Sequence, residues 1–286
     1  MTGPTYSQFL NKLGHEFVTN VEVVPPATSH SADLTAAIAR IAQTLPVDGV
    51  NVADSPMATP KMSAMLFALP LRAQLPAGVE IIPHITARDH NRVALQGLMW
   101  GAAACGIRTV LIVSGDSVRY STDPATRLVA DLDIPAITRL AREAGLTPGV
   151  VFDPRPAQRQ HELRKLEQKL AAGAGFVITQ PVYAPAEAED LWRDLAGRGA
   201  PVLLGLLPLV SLRHAVFLNE RVPGISLPAH LLDQMRAAGP DALSVGLDNA
   251  RRMLGAARER FAGVCIMPPF HRFALLRELL PHAAAM

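Results

Sequence analysis

Buried strand segments that each lead into a helical segment are the feature that most constrains the fold of this chain. The clearest is Thr109–Val113, five β-forming residues without polar alternation, followed by Ser114-Gly115-Asp116. Strands of this kind are buried on both faces, as in a parallel sheet covered by helices. Their carboxyl ends form the rim at which α/β folds bind ligands. Taken alone, however, Asp116 is better explained as a cap of the next loop or helix.

The same strand-then-helix unit recurs along the chain. Strands are predicted at 17–26, 49–54, 79–86, 109–113, 149–154, 175–180, 201–209 and 264–267, and the segment 211–262 holds three helical patterns. Eight βα units in about 250 residues predict a single (β/α)8 TIM barrel domain over residues 1–286, with extra helices before the last strand. The alternative is a doubly wound sheet. It would need a glycine-rich turn after the first strand, where Pro25-Pro26 stands instead.

Composition and charge exclude several classes of protein. The chain is 49% hydrophobic and 18% charged, so it can bury a large core. Its net charge of +2 comes without a basic tract, so nucleic acid is not an expected partner. The apolar stretches are too short to span a membrane and the first residues lack a secretory pattern, so we expect a cytoplasmic protein with no membrane partner. Cys105 and Cys265 are expected to be small core residues.

Polar side chains stand at the ends of the predicted strands, and a barrel would gather them on one face. They are Glu22, Asp54, His84, Thr86, Asp116, Asp153, Gln180 and, after the last strand, Arg272. A single histidine disfavours a metal site, and the strands offer neither a Schiff-base lysine nor a glycosidase pair of glutamates. No glycine-rich dinucleotide or phosphate-binding motif occurs. The set suits recognition of a polar heterocycle, one proton transfer and redox chemistry from a cofactor.

Glu22 is the least expected of these residues, because it lies among valines in the first strand. A carboxylate in a buried strand costs several kcal/mol unless it is paired or protonated. Two interpretations stay open at this point. Glu22 is either one half of an ion pair with a barrel Arg or Lys, or a general acid with a raised pKa.

Several segments together resemble the methylenetetrahydrofolate reductase family. They cover nearly the whole chain in the family's order: V-E-V-V-P-P at 21–26, N-V-A-D-S-P-M-A at 51–58, H-I-T-A-R-D-H-N-R at 84–92, S-G-D at 114–116, I-T-Q-P-V-Y at 178–183 and G-L-L-P-L at 205–209. The second and third look closest to the branch of acetogenic bacteria and of fusions with homocysteine methyltransferases. The resemblance implies a flavin-dependent (β/α)8 barrel in one-carbon metabolism and methionine biosynthesis. Such an oxidoreductase acts on CH–NH groups: reduced FAD, fed by NADH or NADPH, converts 5,10-methylenetetrahydrofolate to 5-methyltetrahydrofolate.

The resemblance also implies roles for individual residues. Glu22 would be the general acid that opens the methylene bridge, and Asp116 a catalytic carboxylate beside the flavin and the pterin ring. The substrate-binding residues would be Gln180, Arg272 and Leu212. The cofactor-binding residues would be His84, Asp116, Phe152, Glu162, Lys169, Ala53 and Ser114. No metal-binding residue is expected.

At several of these positions the chain departs from the family's pattern. Leu212 stands where an aromatic often stacks on the folate or nicotinamide, and Ser114 where an Arg often precedes the Asp. Ala53, Phe152 and Gln168 replace a Thr, a Tyr and an Arg. The cofactor therefore stays open between FAD held differently, FMN, and direct hydride transfer from a nicotinamide. A non-catalytic barrel that binds a partner protein is a further alternative, and a homo-oligomer or an electron-delivering subunit is compatible with the sequence.

Overall fold

A closed barrel of eight parallel strands forms the centre of the molecule. The computed structural model describes residues 7–129, 131–155, 157 and 159–280. The strands are β1 (Val18–Val23), β2 (Gly49–Val52), β3 (Glu80–Thr86), β4 (Thr109–Val113), β5 (Thr147–Phe152), β6 (Phe176–Pro181), β7 (Val202–Leu206) and β8 (Gly263–Ile266). Each strand pairs with the next, and β1 also pairs with β8, which closes the ring. The predicted (β/α)8 TIM barrel is confirmed.

Helices surround the barrel and connect its strands. They are α1 (Gln8–Lys12), α2 (Ala32–Thr44), α3 (Ala64–Arg72), α4 (Arg92–Ala104), α5 (Ile134–Glu143), α6 (Arg159–Ala171), α7 (Pro185–Leu195), α8 (Leu212–Arg221), α9 (Ala229–Ala238), α10 (Ala242–Arg260) and α11 (Ala274–Leu279). Helices α8, α9 and α10 all lie between β7 and β8, where extra helices were predicted. None of the helices in the described part of the chain is long and apolar enough to cross a membrane.

Strand alternation decides which side chains face the barrel interior. In β1, Val21 and Val23 pack in the apolar cluster between strands and helices, so Asn20 and Glu22 point inward. At the amino-terminal end, Phe9 of α1 packs edge-on against Phe176, with ring centroids 5.8 Å apart. That end of the barrel is filled by apolar side chains. Polar residues at the carboxyl ends of the strands therefore face the end that stays open.

The two cysteines differ in their surroundings. Cys265 lies buried in β8, as predicted. The prediction that Cys105 is a core residue is wrong, because Cys105 is exposed. It follows the last residue of α4, and its carbonyl accepts a hydrogen bond from Arg72 Nη1 at 2.8 Å. Apolar neighbours in the sequence do not bury a residue that stands at the end of a surface helix.

Candidate active site

A cavity of about 610 Å³ opens at the carboxyl ends of the strands. Six of the predicted site residues line it: Glu22, Ala53, His84, Ser114, Asp116 and Gln180. The loop that follows β8, residues 267–271, forms another part of its wall. We call this space the acid cavity. It brings together side chains from β1, β3 and β6 and from the loops after β2 and β4, as the converging strand ends of a barrel require.

Glu22 lies in the wall of the acid cavity, with 21% of its side chain exposed. Its Oε2 is 4.0 Å from Nε2 of His84. Among the described residues no Lys or Arg forms an ion pair with Glu22, which leaves the carboxylate without a permanent positive partner. Burial therefore raises the pKa of Glu22 to about 7. This environment is that of an acid which holds its proton near neutral pH.

A chain of buried amides fixes the imidazole beside Glu22. Asn51 Oδ1 accepts from Asn20 Nδ2 at 2.9 Å, and Asn51 Nδ2 lies 3.2 Å from His84 Nε2. Since the amide nitrogen can only donate, Nε2 accepts and the ring proton is assigned to Nδ1. Burial lowers the pKa of His84 to about 3, so the ring is neutral at physiological pH. A neutral ring gives no charge that would draw the proton from Glu22.

Asn20 and Asn51 were not assigned to the site from the sequence. Both are fully buried and face the interior from neighbouring strands, where Asn51 is the register partner of Glu22 and Asn20 is the partner of Gly49. Their signal was present in the sequence as polar residues at the inward positions of valine-rich strands. Strand alternation gives the direction of such side chains, but not the partners that they meet.

The raised pKa of Glu22 predicts a pH-dependent stability. In the unfolded chain the carboxyl releases its proton near 4.5, and in the folded protein near 7. The folded state therefore holds the proton more tightly, and this contribution is lost as pH rises through about 7. Relative to a Glu22→Gln variant, wild type should lose on the order of 3 kcal/mol between pH 4.5 and 8. Urea unfolding of both proteins across this range measures the difference. A pH-independent difference would contradict the proposed burial.

Asp116 follows a glycine that has no room for a side chain. Gly115 has φ of 78°, and a Cβ built on it would lie 2.3 Å from Thr86 Cγ2 and 3.0 Å from Arg88 Cβ. Asp116 Oδ2 accepts a hydrogen bond from the backbone N–H of Met57 at 2.6 Å. The carboxylate thus holds the loop after β2 and also lines the acid cavity. Its hydrogen bond goes to the loop after β2 and not to the next loop or helix, and its role as a site carboxylate stays a prediction.

Arg88 is a site residue to which sequence analysis gave no role. Its side chain is 3% exposed and donates to the carboxylate of Asp89, to the carbonyl of Ser55 at 3.2 Å and to the carbonyl of Asp116 at 3.3 Å. The loop that it holds has positive φ at Ser55, Met57 and Ala58, with values of 45°, 54° and 52°. Non-glycine residues adopt such angles only where their surroundings hold them. Arg88 and Asp116 together hold this strained loop at the cavity wall.

A second cavity of about 590 Å³ adjoins the first, and we call it the cationic cavity. Ser114, Asp116 and Gln180 belong to the walls of both spaces. The far side of the cationic cavity carries Arg119, Arg155, Glu162, Lys165, Gln168 and Lys169. Part of the loop between β4 and α5 lies against it, at Arg119 and Tyr120.

The cationic side chains of the cationic cavity differ in whether they form an ion pair with a carboxylate. Arg155 pairs with Asp153 at 2.6 Å, and Lys165 pairs with Glu162 at 2.9 Å. Lys169 Nζ donates instead to the carbonyl of Val151 at 2.7 Å, and burial lowers its pKa. Within the described residues Lys169 forms no ion pair. A partly buried ammonium with only a carbonyl partner fits a phosphate-bearing cofactor, because a phosphate oxygen would supply the missing negative charge.

Three predicted site residues line neither cavity. Phe152 is fully buried in the main apolar core, and Leu212 packs partly buried against the cluster around Leu209 and Leu231. Arg272 is exposed, just after the loop that borders the acid cavity. Their implied roles towards cofactor or substrate stay predictions. Among the described residues there is also no cluster of three or more His, Cys, Asp or Glu side chains that could hold a metal ion.

A match to a family model over most of the chain identifies the protein family. The family model described as methylenetetrahydrofolate reductase matches residues 6–278. The chain belongs to the methylenetetrahydrofolate reductase family. The resemblance of its strand-end segments to this family is thereby confirmed.

One relative of this methylenetetrahydrofolate reductase family member has low sequence identity to it. A Caenorhabditis elegans protein named probable methylenetetrahydrofolate reductase (NADPH) is 25% identical over 215 residues, which are 70% of this chain and 31% of the relative. The chain therefore spans about a third of that relative's length.

Solved structures that resemble the chain share its barrel. One is 2,3-dimethylmalate lyase, with a TM-score of 0.53, 14% identity and coverage of 95% of this chain and 82% of that chain. Another is tryptophan synthase subunit alpha from Campylobacter jejuni, with a TM-score of 0.51, 10% identity and coverage of 90% and 89%. At these identities the likeness shows the fold alone.

Proposed function

We propose that this protein reduces 5,10-methylenetetrahydrofolate to 5-methyltetrahydrofolate, with NADH or NADPH as the source of electrons. The observation that carries the proposal is Glu22, a carboxyl with a pKa near 7 in the wall of a cavity and beside a neutral imidazole. An acid catalyst works best when its pKa lies near the working pH. Family membership supplies the substrate class, and the acid cavity supplies the proton donor that this reaction needs.

Glu22 acts as the general acid in this proposal. It gives its proton to one of the two nitrogens that the methylene group bridges in the folate. The bond from that nitrogen to the methylene carbon then breaks, and an iminium forms between the methylene carbon and the other nitrogen. Addition of a hydride to the methylene carbon then gives the methyl group. His84, with its pKa near 3, does not compete for the proton that Glu22 donates.

Gln180 and Asp116 are suited to orient the pterin ring. Gln180 lines both cavities, and among the described residues its side-chain amide has no hydrogen-bond partner. A free amide can donate and accept at once, which matches the amide edge of a pterin. Asp116 uses Oδ2 for Met57, and its other oxygen remains available to accept from a ring N–H.

The cofactor is proposed to be a flavin, FAD as in the family, with FMN as a variant. A bound flavin would supply the hydride after its own reduction by NADH or NADPH. Lys169 and Arg119 would hold its phosphates in the cationic cavity, and Ser114 and Asp116 lie at the junction that leads to Glu22. Lys169 supports this fit, because its ammonium is partly buried and has no ion-pair partner among the described residues.

Direct hydride transfer from the nicotinamide, without a flavin, is the second candidate. It is favoured by Ser114 at the junction and Gln168 in the cationic cavity, two neutral residues where the family often has arginines. The absorbance of the purified protein separates the candidates, since a yellow protein carries flavin. Formation of the methyl product from NADH or NADPH tests the reaction itself. If neither nicotinamide yields that product, with or without added FAD or FMN, the proposed function is wrong.

Replacement of Lys169 by Met should weaken binding of the phosphate-bearing cofactor about tenfold, because a partly buried charge-assisted contact is lost. Lys165→Met is the matched control, since Lys165 lines the same cavity but is 47% exposed and already paired with Glu162. Fluorescence titration of the apoprotein with FAD, FMN and NADPH measures the dissociation constants. Equal effects of the two substitutions would contradict the assigned role of Lys169.

A further inference from the structure

Phe270 is unusually exposed for a phenylalanine in a folded protein. Its side chain is 76% exposed, although a phenylalanine ring in a folded protein is usually buried. It belongs to the wall of the acid cavity, together with Glu22 and Gln180. Of the described residues that line this cavity, it is the only Phe, Tyr or Trp. The ring therefore stands at the entrance to the proton donor.

The backbone at this position is strained. Phe270 and His271 are consecutive non-glycine residues with φ of 54° and 55°. Bulky residues avoid this region because the side chain meets the following carbonyl. The turn is held by His271 Nε2, which lies 2.8 Å from the carbonyl oxygen of Val24. Val24 comes two residues after Glu22, so the strained turn is tied to the strand that carries the acid.

The phenyl ring of Phe270 packs against one aromatic ring among the described residues, that of His214. Its centroid lies 5.3 Å from that of His214 in α8, with the planes tilted by 59°. His214 is buried, and burial lowers its pKa. The neutral imidazole holds the phenyl ring in place, while most of the ring surface stays open. Strained backbone positions cluster at active sites and ligand contacts. An exposed aromatic ring at such a position offers a flat face for stacking.

We propose that Phe270 provides the face against which the planar pterin ring of the substrate stacks while Glu22 acts on the methylene bridge. This inference rests on the proposed function. A pterin is a flat heterocycle, and aromatic rings bind such planes by offset stacking. Phe270 is thereby a substrate-binding residue that sequence analysis did not single out.

Binding of 5-methyltetrahydrofolate, measured by calorimetry, tests the stacking contact directly. Phe270→Ala and Phe270→Leu should both weaken binding about tenfold, whereas Phe270→Tyr should stay within about twofold of wild type. Loss with Leu shows that aromatic character matters, not apolar bulk alone. Phe217→Ala is the control, because Phe217 is 49% exposed on α8 and lines neither cavity. It should leave binding unchanged.

The outcomes separate this inference from the proposed function. If wild type binds the folate and Phe270→Ala or Phe270→Leu binds it equally well, stacking on Phe270 is wrong and the proposed reaction stands. If wild type neither binds nor reduces the folate, both proposals fall.

Discussion

Glu22→Gln is expected to lower the rate of 5-methyltetrahydrofolate formation by about 10²- to 10⁴-fold. The substitution keeps the size of the side chain and removes the proton that opens the methylene bridge. Transfer of electrons from NADH or NADPH to the protein's cofactor or to a dye does not need this proton. Stopped-flow measurement of the two half-reactions should show that only the folate half is slowed.

The pH profile gives this experiment a second readout. Because Glu22 must be protonated and has a pKa of about 7, wild-type kcat/KM for the folate should fall as pH rises through that value. The residual activity of Glu22→Gln should not show that fall. Glu80→Gln is the matched control, since Glu80 is also buried in a strand but lines neither cavity. It should keep the wild-type profile. Full folate activity in Glu22→Gln would exclude Glu22 as the acid.

The second large effect is expected at Gly115. In Gly115→Ala the new methyl group would lie 2.3 Å from Thr86 Cγ2, in a backbone conformation with φ of 78°. We expect a loss of about 3 kcal/mol in the free energy of unfolding, from strain and overpacking together. The same methyl group would lie 3.0 Å from Arg88 Cβ, so we expect it to disturb the hydrogen bond from Arg88 to the carbonyl of Asp116. Folate reduction should therefore fall by at least about tenfold, since displacements of about 1 Å at a site have effects of this size or larger.

Gly145→Ala provides the matched control for backbone strain. Gly145 has φ of 82°, nearly the same as Gly115, but a Cβ there meets no atom within 4 Å. It should cost only about 1 kcal/mol and leave catalysis unchanged. Urea unfolding and steady-state kinetics of both variants measure the two effects. If the two alanine variants behave alike, the contact with Thr86 has no role in placing Asp116.

Much of the fold could be predicted from the sequence, because strand burial and helical spacing are local signals. The β4 segment is typical: five β-forming residues followed by a glycine leave few alternatives, and the structure has the strand at Thr109–Val113. Five of the polar residues at strand ends line one cavity, because parallel strands of a barrel all end on the same side: Glu22, Asp54, His84, Asp116 and Gln180. Cys105 shows the limit of local signals, since exposure depends on which side of a helix end faces the solvent.

The contacts within the site could not be predicted in the same way. Arg88 stood in a family-like segment, but its bonds to Ser55 and Asp116 depend on two loops that strand patterns do not place. Phe270 looked like any apolar residue until its backbone angle and exposure were known. Phe152 lines neither cavity because its side chain is buried in the main apolar core. The sequence prediction did not assign an inward or outward direction to this strand residue.

The position of Glu22 on β1 links its acidity to closure of the barrel. The carbonyl of Val24 and the ring of His271 meet across 247 residues of sequence, at the seam between β1 and β8. Contacts of such long range form late, because the intervening chain must be ordered first. Before the seam closes, Glu22 is open to water and ionises as an ordinary carboxyl. A chain whose last strand has not docked therefore carries Glu22 but not its raised pKa, and the proposed proton donation requires a closed ring.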